Sequence, residues 1–206
     1  QSELISKIKA AKPDMIALTG DIVDEDHDSI SSVEDLLKGI KDLAPIYFVT
    51  GNHELTSLAA TQYQELLALF QKYGVTDLDN DSVKLKKGGQ SITLYGRQYF
   101  SQYLTDSLPI ASDKDFDILL YHGSDNFKEI APYHYDLILS GHAHGGIVRL
   151  PIWGGIFGND GTFFPEYAGG EYTIGDATLI SSRGLGDASI PRFNNPPELV
   201  VIKLNP

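Results

Sequence analysis

Cysteine is absent from the chain, and methionine and tryptophan occur once each. The missing thiols exclude disulfides, thiolate metal sites and a cysteine nucleophile, and leave the redox compartment open. No apolar run approaches the ~20 residues that span a bilayer, and no secretory signal pattern is visible. Cations are scarce too: 16 Lys and Arg stand against 28 Asp and Glu, for a net charge of −12. A surface of that sign repels a phosphate backbone, so a broad face for duplex nucleic acid is excluded. A small anionic substrate remains compatible, because bound cations reverse the sign locally. Low-complexity segments, linkers and internal repeats are also lacking. Hydrophobic residues at 42% and charged residues at 21% of 206 are ordinary for a globular protein with a real core. The expectation is one domain covering residues 1–206.

The order of elements points to an α/β architecture. Leu4, Ile5, Ile8 and Ala11 have helical spacing, and Lys12-Pro13 stops that helix. "DMIALTGD" reads as a short apolar strand ending in Gly20-Asp21. Ser31 and Ser32, each followed three residues later by an acid, offer overlapping capping boxes for "VEDLLKGIKDL". "IYFVTGNHE" is a second strand, and "SLAATQYQELLALFQKYG" is the longest helix, with Gly74 as its C-cap. From Val75 the texture changes. "VKLKKGGQSITLYG" reads as a hairpin turning at Gly88-Gly89. "FDILLYH" and "DLILSGH" are buried strands that end in histidine, and "EYTIGDATLISS" and "ELVVIKL" are read as strand and turn.

Histidine is sparse, with six in the whole chain, yet four lie at strand ends. Apolar strands finish in "TGD" (Asp21), "TGNHE" (Asn52, His53), "LLYH" (His122) and "SGHAH" (His142, His144). Sites in open α/β sheets form beyond the carboxyl ends of strands. Four strands of one sheet would thus bring a carboxylate, an amide oxygen and several imidazoles to one rim. Taken singly, each has a plainer reading: His142 and His144 as exposed turn residues, His122 as a packed histidine, Asp24 as a turn cap. His27 and His134 are read as surface residues. Oxygen and nitrogen donors without thiolate suit Mn²⁺, Fe or Zn²⁺. Asp21 has two oxygens and can bridge two ions, and an ion pair ~3.5–4 Å apart forms a clamp for in-line displacement at phosphorus.

"GDIVD", "GNHE", a strand-terminal histidine and "GHAH", in this order, resemble the calcineurin-like metallophosphoesterases. "GHAHGGIVRLP", "SSRGLG" and "PRFNNPPELVVIKL" look like the bacterial metallophosphodiesterase branch, often membrane-associated. The resemblance runs from about Asp14 to Leu204. It implies a β-sandwich of two mixed sheets flanked by helices, and a metal-dependent phosphoesterase, more specifically a phosphodiesterase. It also implies two divalent ions, and in-line attack on a phosphate-ester substrate by a metal-bound hydroxide. Asp21 matches the bridging aspartate; Asn52, His122 and His142 match the other ligands of one ion, and His144 a ligand of the second. His53 matches the histidine that contacts phosphate and protonates the leaving oxygen, and Asp24 the carboxylate that orients it.

There is one departure. The family opens with a strand ending in D-x-H, and "QSELISKIKAAKPDM" contains no histidine. The expectation is an N-terminally incomplete domain lacking its first strand and holding one ion well. Any anchor or signal is expected upstream of Gln1, in a cytoplasmic or membrane-associated protein. A non-catalytic scaffold with an incomplete metal centre is the alternative function, although six retained motif residues favour the enzyme. A metallo-β-lactamase-type hydrolase would need H-x-H-x-D-H, and "HAHGGI" lacks the Asp-His pair. The aromatic segment 149–167, with Trp153, Phe157, Phe163 and Phe164 among glycines, reads either as a cover for the sheet or as an apolar wall at the site or a membrane.

Overall fold

The computed structural model describes residues 1–23, 30–99, 104, 108–112, 115–158, 161–186 and 191–205. Helix α1 (Ser2–Ala11) ends where Lys12 turns left-handed at φ 50°, one residue before Pro13. Strand β1 (Ile16–Leu18) pairs in parallel with β2 (Ile46–Phe48), and β2 pairs in parallel with β3 (Val75–Asp77). Helix α2 (Ile30–Ile40) carries the chain from β1 to β2. The short α3 (Asn52–Thr56) and the long α4 (Ala60–Tyr73) carry it from β2 to β3. Parallel neighbours need such crossovers, because a tight turn cannot reverse the chain twice. Gly74, at φ 70°, caps α4 as its position in the sequence predicts.

The second sheet has six strands in the order β10-β11-β7-β6-β5-β4. Its centre is parallel: β5 (Gln90–Arg97), β6 (Phe116–Gly123), β7 (Leu137–Gly141) and β11 (Ala177–Ser181). Antiparallel hairpins close both edges, β4 (Ser82–Lys87) against β5 and β10 (Gly170–Ile174) against β11. Gly88 and Gly89 make the first of these turns with φ 59° and 84°, two positive values that glycine accepts without strain. A short helix α5 (Phe127–Ile130) follows β6, and β8 (Val148–Leu150) with β9 (Gly154–Phe157) forms a separate two-stranded ribbon.

Side-chain alternation along the strands builds the layers. Ile46 and Phe48 face α1, α2 and α4, where Leu37, Ile40, Leu66 and Phe70 cover them. Tyr47 and Val49 face the other way and meet Leu94, Ile118, Leu120, Leu137 and Leu139 of the large sheet. Leu119, Tyr121 and Ile138 point to its far side, against Phe127, Ile130 and Tyr135. The two sheets therefore pack face to face with helices outside, which is a mixed α/β sandwich. The small sheet is parallel throughout, and only the large one is mixed.

Two local expectations are corrected. Ser31 and Ser32 lie inside α2, past its first described residue Ile30, and do not cap it. "ELVVIKL" is not a strand: Glu198–Leu204 forms no ladder, and Val201 and Leu204 are 65% and 45% exposed. An apolar alternating run becomes a strand only where another chain segment satisfies its backbone. Among the described residues β1 pairs with β2 alone and is an edge of its sheet. Among the described residues no helix is long and apolar enough to cross a membrane.

Leu120 is fully buried at the seam between the sheets. Leu120→Ala should lower stability by about 2–5 kcal/mol, the usual cost of an apolar core cavity. Urea denaturation measures it, and a loss below ~1 kcal/mol would show that the two sheets are not tightly packed there.

Candidate metal centre

Beyond β1 the chain runs through Thr19 and Gly20 to Asp21, and beyond β2 it runs through Thr50 and Gly51 to Asn52. These two loops touch. A Cβ on Gly20 would stand 2.5 Å from the Gly51 nitrogen, and Gly20 has φ +88°, so glycine is required on both counts. A carboxylate holds the loops together. Glu54, 2% exposed, accepts hydrogen bonds from the main-chain N–H groups of Asp21 (2.8 Å), Ile22 (2.8 Å) and Gly51 (2.7 Å). The side chain of Asp21 then accepts the N–H of His53 at 2.9 Å. Asp79 fastens the preceding residue, accepting the Thr50 N–H at 2.9 Å and its hydroxyl at 2.6 Å.

The large sheet supplies the other half. His122, 1% exposed near the end of β6, donates its Nδ1–H to the Thr19 carbonyl at 2.6 Å. That bond fixes the tautomer and turns Nε2 towards Asp21, 2.9 Å from Oδ2. His142, just past β7, places Nδ1 3.0 Å from Asn52 Oδ1 and 3.2 Å from His122 Nε2. Two ring nitrogens, an amide oxygen and a carboxylate oxygen thus crowd together. Donor atoms around one divalent ion stand roughly 3.0–3.4 Å apart in octahedral or tetrahedral geometry. The observed spacings match that edge length. Among the described residues, Asp21, His122 and His142 form the group of acids and histidines whose ligand atoms all lie within 4.8 Å of one another.

The electrostatics agree with a place for a cation. Burial pushes Asp21 up, but the His122 hydrogen bond and charge outweigh it and hold the carboxyl below its usual range. Burial would depress His122, yet its bond and attraction to Asp21 leave it raised. Burial and the nearby Asp21 charge raise Glu54. Binding of a divalent ion by Asp21 and His122 would compete with protonation of this pair.

His53 lies beside this group, its Nε2 3.9 Å from Asp21 Oδ2. His144 does not join the tight cluster. Burial and the charge of Arg192 lower its pKa to about 4, so the ring is neutral near pH 7 and able to donate a lone pair. Its Nδ1 is buried with no hydrogen-bond partner among the described residues. Asp24 and His27 lie outside the described residues, and His134 is exposed. The strand ends belong to two sheets, two ends from each, and not to one: the centre sits across the mouth of the sandwich.

Two neighbours were not singled out from sequence. Glu54 occupies the third position after Gly51, where a capping-box acid would sit, and that spacing is its sequence signal. The Tyr99 ring lies 5.4 Å from that of His122 and 5.3 Å from that of His142, and no periodicity marks it. In segment 149–167, Trp153 (70%), Phe163 (72%) and Phe164 (57%) are exposed and do not cover the sheet, while Tyr167 is buried.

A model of the calcineurin-like phosphoesterase family matches residues 1–146. The chain belongs to that family. It is 30% identical to the uncharacterized metallophosphoesterase YkuE of Bacillus subtilis, over 98% of this chain and 71% of that protein. It is 27% identical to the phosphodiesterase YaeI of Escherichia coli, over 94% of this chain and 71% of that protein. Among solved structures, the Thermus thermophilus sulfate thiohydrolase SoxB shares the fold with a TM-score of 0.52 at 15% identity. That match covers 87% of this chain and 36% of SoxB.

Glu54→Gln keeps the shape of the side chain but sets an –NH₂ against main-chain N–H donors. Stability should fall by about 1–3 kcal/mol, the cost of leaving buried donors unpaired. The denaturation midpoint at constant m reads this, and an unchanged midpoint would show that the carboxylate does not hold the loops.

Proposed function

We propose that the chain hydrolyses phosphate esters, with diesters as the favoured class, at a divalent ion held by Asp21, Asn52, His122 and His142. One observation carries this reading. A carboxylate, an amide oxygen and two imidazole nitrogens from two different sheets stand 2.9–3.2 Å apart in sequence, Asp21 to His122 to His142 to Asn52. The donor set fits Mn²⁺, Fe or Zn²⁺, being oxygen and nitrogen with no thiolate. Bound there, the ion supplies polarisation of a phosphoryl oxygen and a lowered pKa for a coordinated water. The relative named a phosphodiesterase supports the choice of diesters. In this reading residues 1–206 act as one domain, supported by the apolar layer that the two sheets share.

The side chains divide the work. His122 is held by the Thr19 carbonyl with Nε2 presented inward. Asp21 is fixed through its own backbone by Glu54 and through Oδ1 by the His53 N–H. His53, with its side chain 27% exposed at the edge of the cluster, is assigned phosphate contact and proton delivery to the leaving oxygen. Asp24 is assigned the orientation of His53. His144, together with Asp21, would hold a second ion.

The direct test is hydrolysis of bis(p-nitrophenyl) phosphate against p-nitrophenyl phosphate by the chain loaded with Mn²⁺ or Zn²⁺. The diester should turn over faster, and a loaded chain that cleaves neither ester would sink the proposal. His53→Ala should lower turnover by about 10²–10⁴-fold with metal content kept. The loss should be smaller for a nitrophenolate than for an alkoxide leaving group, since a weak base needs no proton; equal losses would remove the acid role.

Metal titration followed by elemental analysis gives a separate check. The chain should hold one ion tightly and a second weakly, because His144 and Asp21 offer the second only two protein ligands. His142→Ala should abolish the tight step. Two tightly held ions per chain would mean that further residues act as ligands.

A further inference from the structure

We infer that Asn195 is a positioning residue for His144, setting the direction of its imidazole by gripping its main chain. The inference rests on the metal-ligand reading of His144 given above. Four of the five residues from His142 to Gly146 have positive φ: His142 69°, His144 49°, Gly145 73° and Gly146 68°. For the two histidines this backbone is unfavourable, and such conformations persist only where the surroundings impose them.

Asn195 makes the shortest hydrogen bond to His144's carbonyl, at 2.6 Å, while Arg192 Nη1 reaches the same oxygen at 3.5 Å. The Asn195 side chain is 2% exposed, and its Nδ2 also donates towards the Ile147 carbonyl at 3.4 Å. One amide therefore spans the loop from its second histidine to the residue that begins the next extended stretch. The fit is close, since a Cβ on Gly145 would stand 2.4 Å from Asn195 Oδ1. Neighbouring carbonyls are taken by arginines: Arg149 Nη1 donates to Gly145 at 2.6 Å and Arg192 Nη1 to Arg183 at 2.7 Å.

The segment carrying Asn195 is anchored on both sides. Upstream, Phe193 exchanges main-chain hydrogen bonds with Ile147 and Arg149, each 3.0 Å. Downstream, Glu198 accepts the Arg183 N–H at 2.9 Å and Nε–H at 2.7 Å, and its own N–H donates to the Gly184 carbonyl. The "SSRGLG" and "PRFNNPPE" stretches thus form one bracket, with Asn195 at its centre and His144 in its grip. Two carbonyl oxygens face this side chain, so the position requires an N–H donor. Aspartate has the same shape and cannot supply it.

The test uses the full chain with isotope-labelled histidines, titrated to saturation with Co²⁺ while the ring signals of His122, His142 and His144 are followed by NMR. In the wild type all three rings should show paramagnetic shifts. In Asn195→Asp the His122 and His142 shifts should persist, and the Co²⁺ concentration needed to shift His144 should rise by at least ~10-fold. Asn195→Ala, which removes the amide without adding charge, should act in the same direction and guards against a fold disturbed by the carboxylate. A loss of thermal stability alone, with the His144 response as in the wild type in both variants, overturns the inference and leaves the metal reading standing. A wild-type chain in which His122 and His142 ignore Co²⁺ overturns the metal reading and this inference with it.

Discussion

The Glu54 carboxylate is the contact on which the arrangement of the centre depends. Three main-chain N–H groups from two strand-end loops converge on its two oxygens. Joining the two loops fixes Asp21 in a left-handed backbone at φ 50° beside Asn52, the first residue of α3. The bond is costly as well as strong, because a buried carboxylate must be nearly fully hydrogen-bonded to remain tolerable. Burial and the neighbouring Asp21 charge push Glu54 upward, and the N–H groups of Gly51 and Asp21 pull the other way.

The second constraint is the seam between the sheets. Asp21 and Asn52 leave the parallel sheet, while His122 and His142 leave the mixed one, and the apolar layer of Tyr47, Val49, Leu94 and Leu120 sets the distance between them. The donors meet only when that layer is closed. A cation there would join two halves of the fold, so its binding is coupled to the packing of the sandwich. It would also relieve a local surplus of negative charge in a chain whose net charge is already −12.

The third is strain at the end of β7. A strand that stops at Gly141 and turns through His142 and His144 in left-handed conformations gains direction for its imidazoles at the expense of backbone comfort. Carbonyl contacts from Arg149, Arg192 and Asn195 balance that cost, and all three come from chain segments later in sequence.

Features governed by near neighbours in sequence were legible from it. Helix α1 with its stop at Lys12-Pro13, helix α4 with Gly74, and the hairpin at Gly88-Gly89 follow from spacing and turn chemistry within a few residues. The strand ends that carry Asp21, Asn52, His122 and His142 were legible for the same reason, since each is an apolar run broken by glycine or histidine. What needed the tertiary structure was every outcome set by a distant partner. Ser31 and Ser32 carry a capping pattern yet lie within α2, and "ELVVIKL" carries a strand pattern yet forms no ladder among the described residues. The division of the four ends between two sheets, the separation of His144 from the tight cluster, and the grip of Glu54 on residues 32 and 33 positions away all depend on packing. A hydrogen bond or a ladder is a property of two segments, and a single segment's sequence records only its own half.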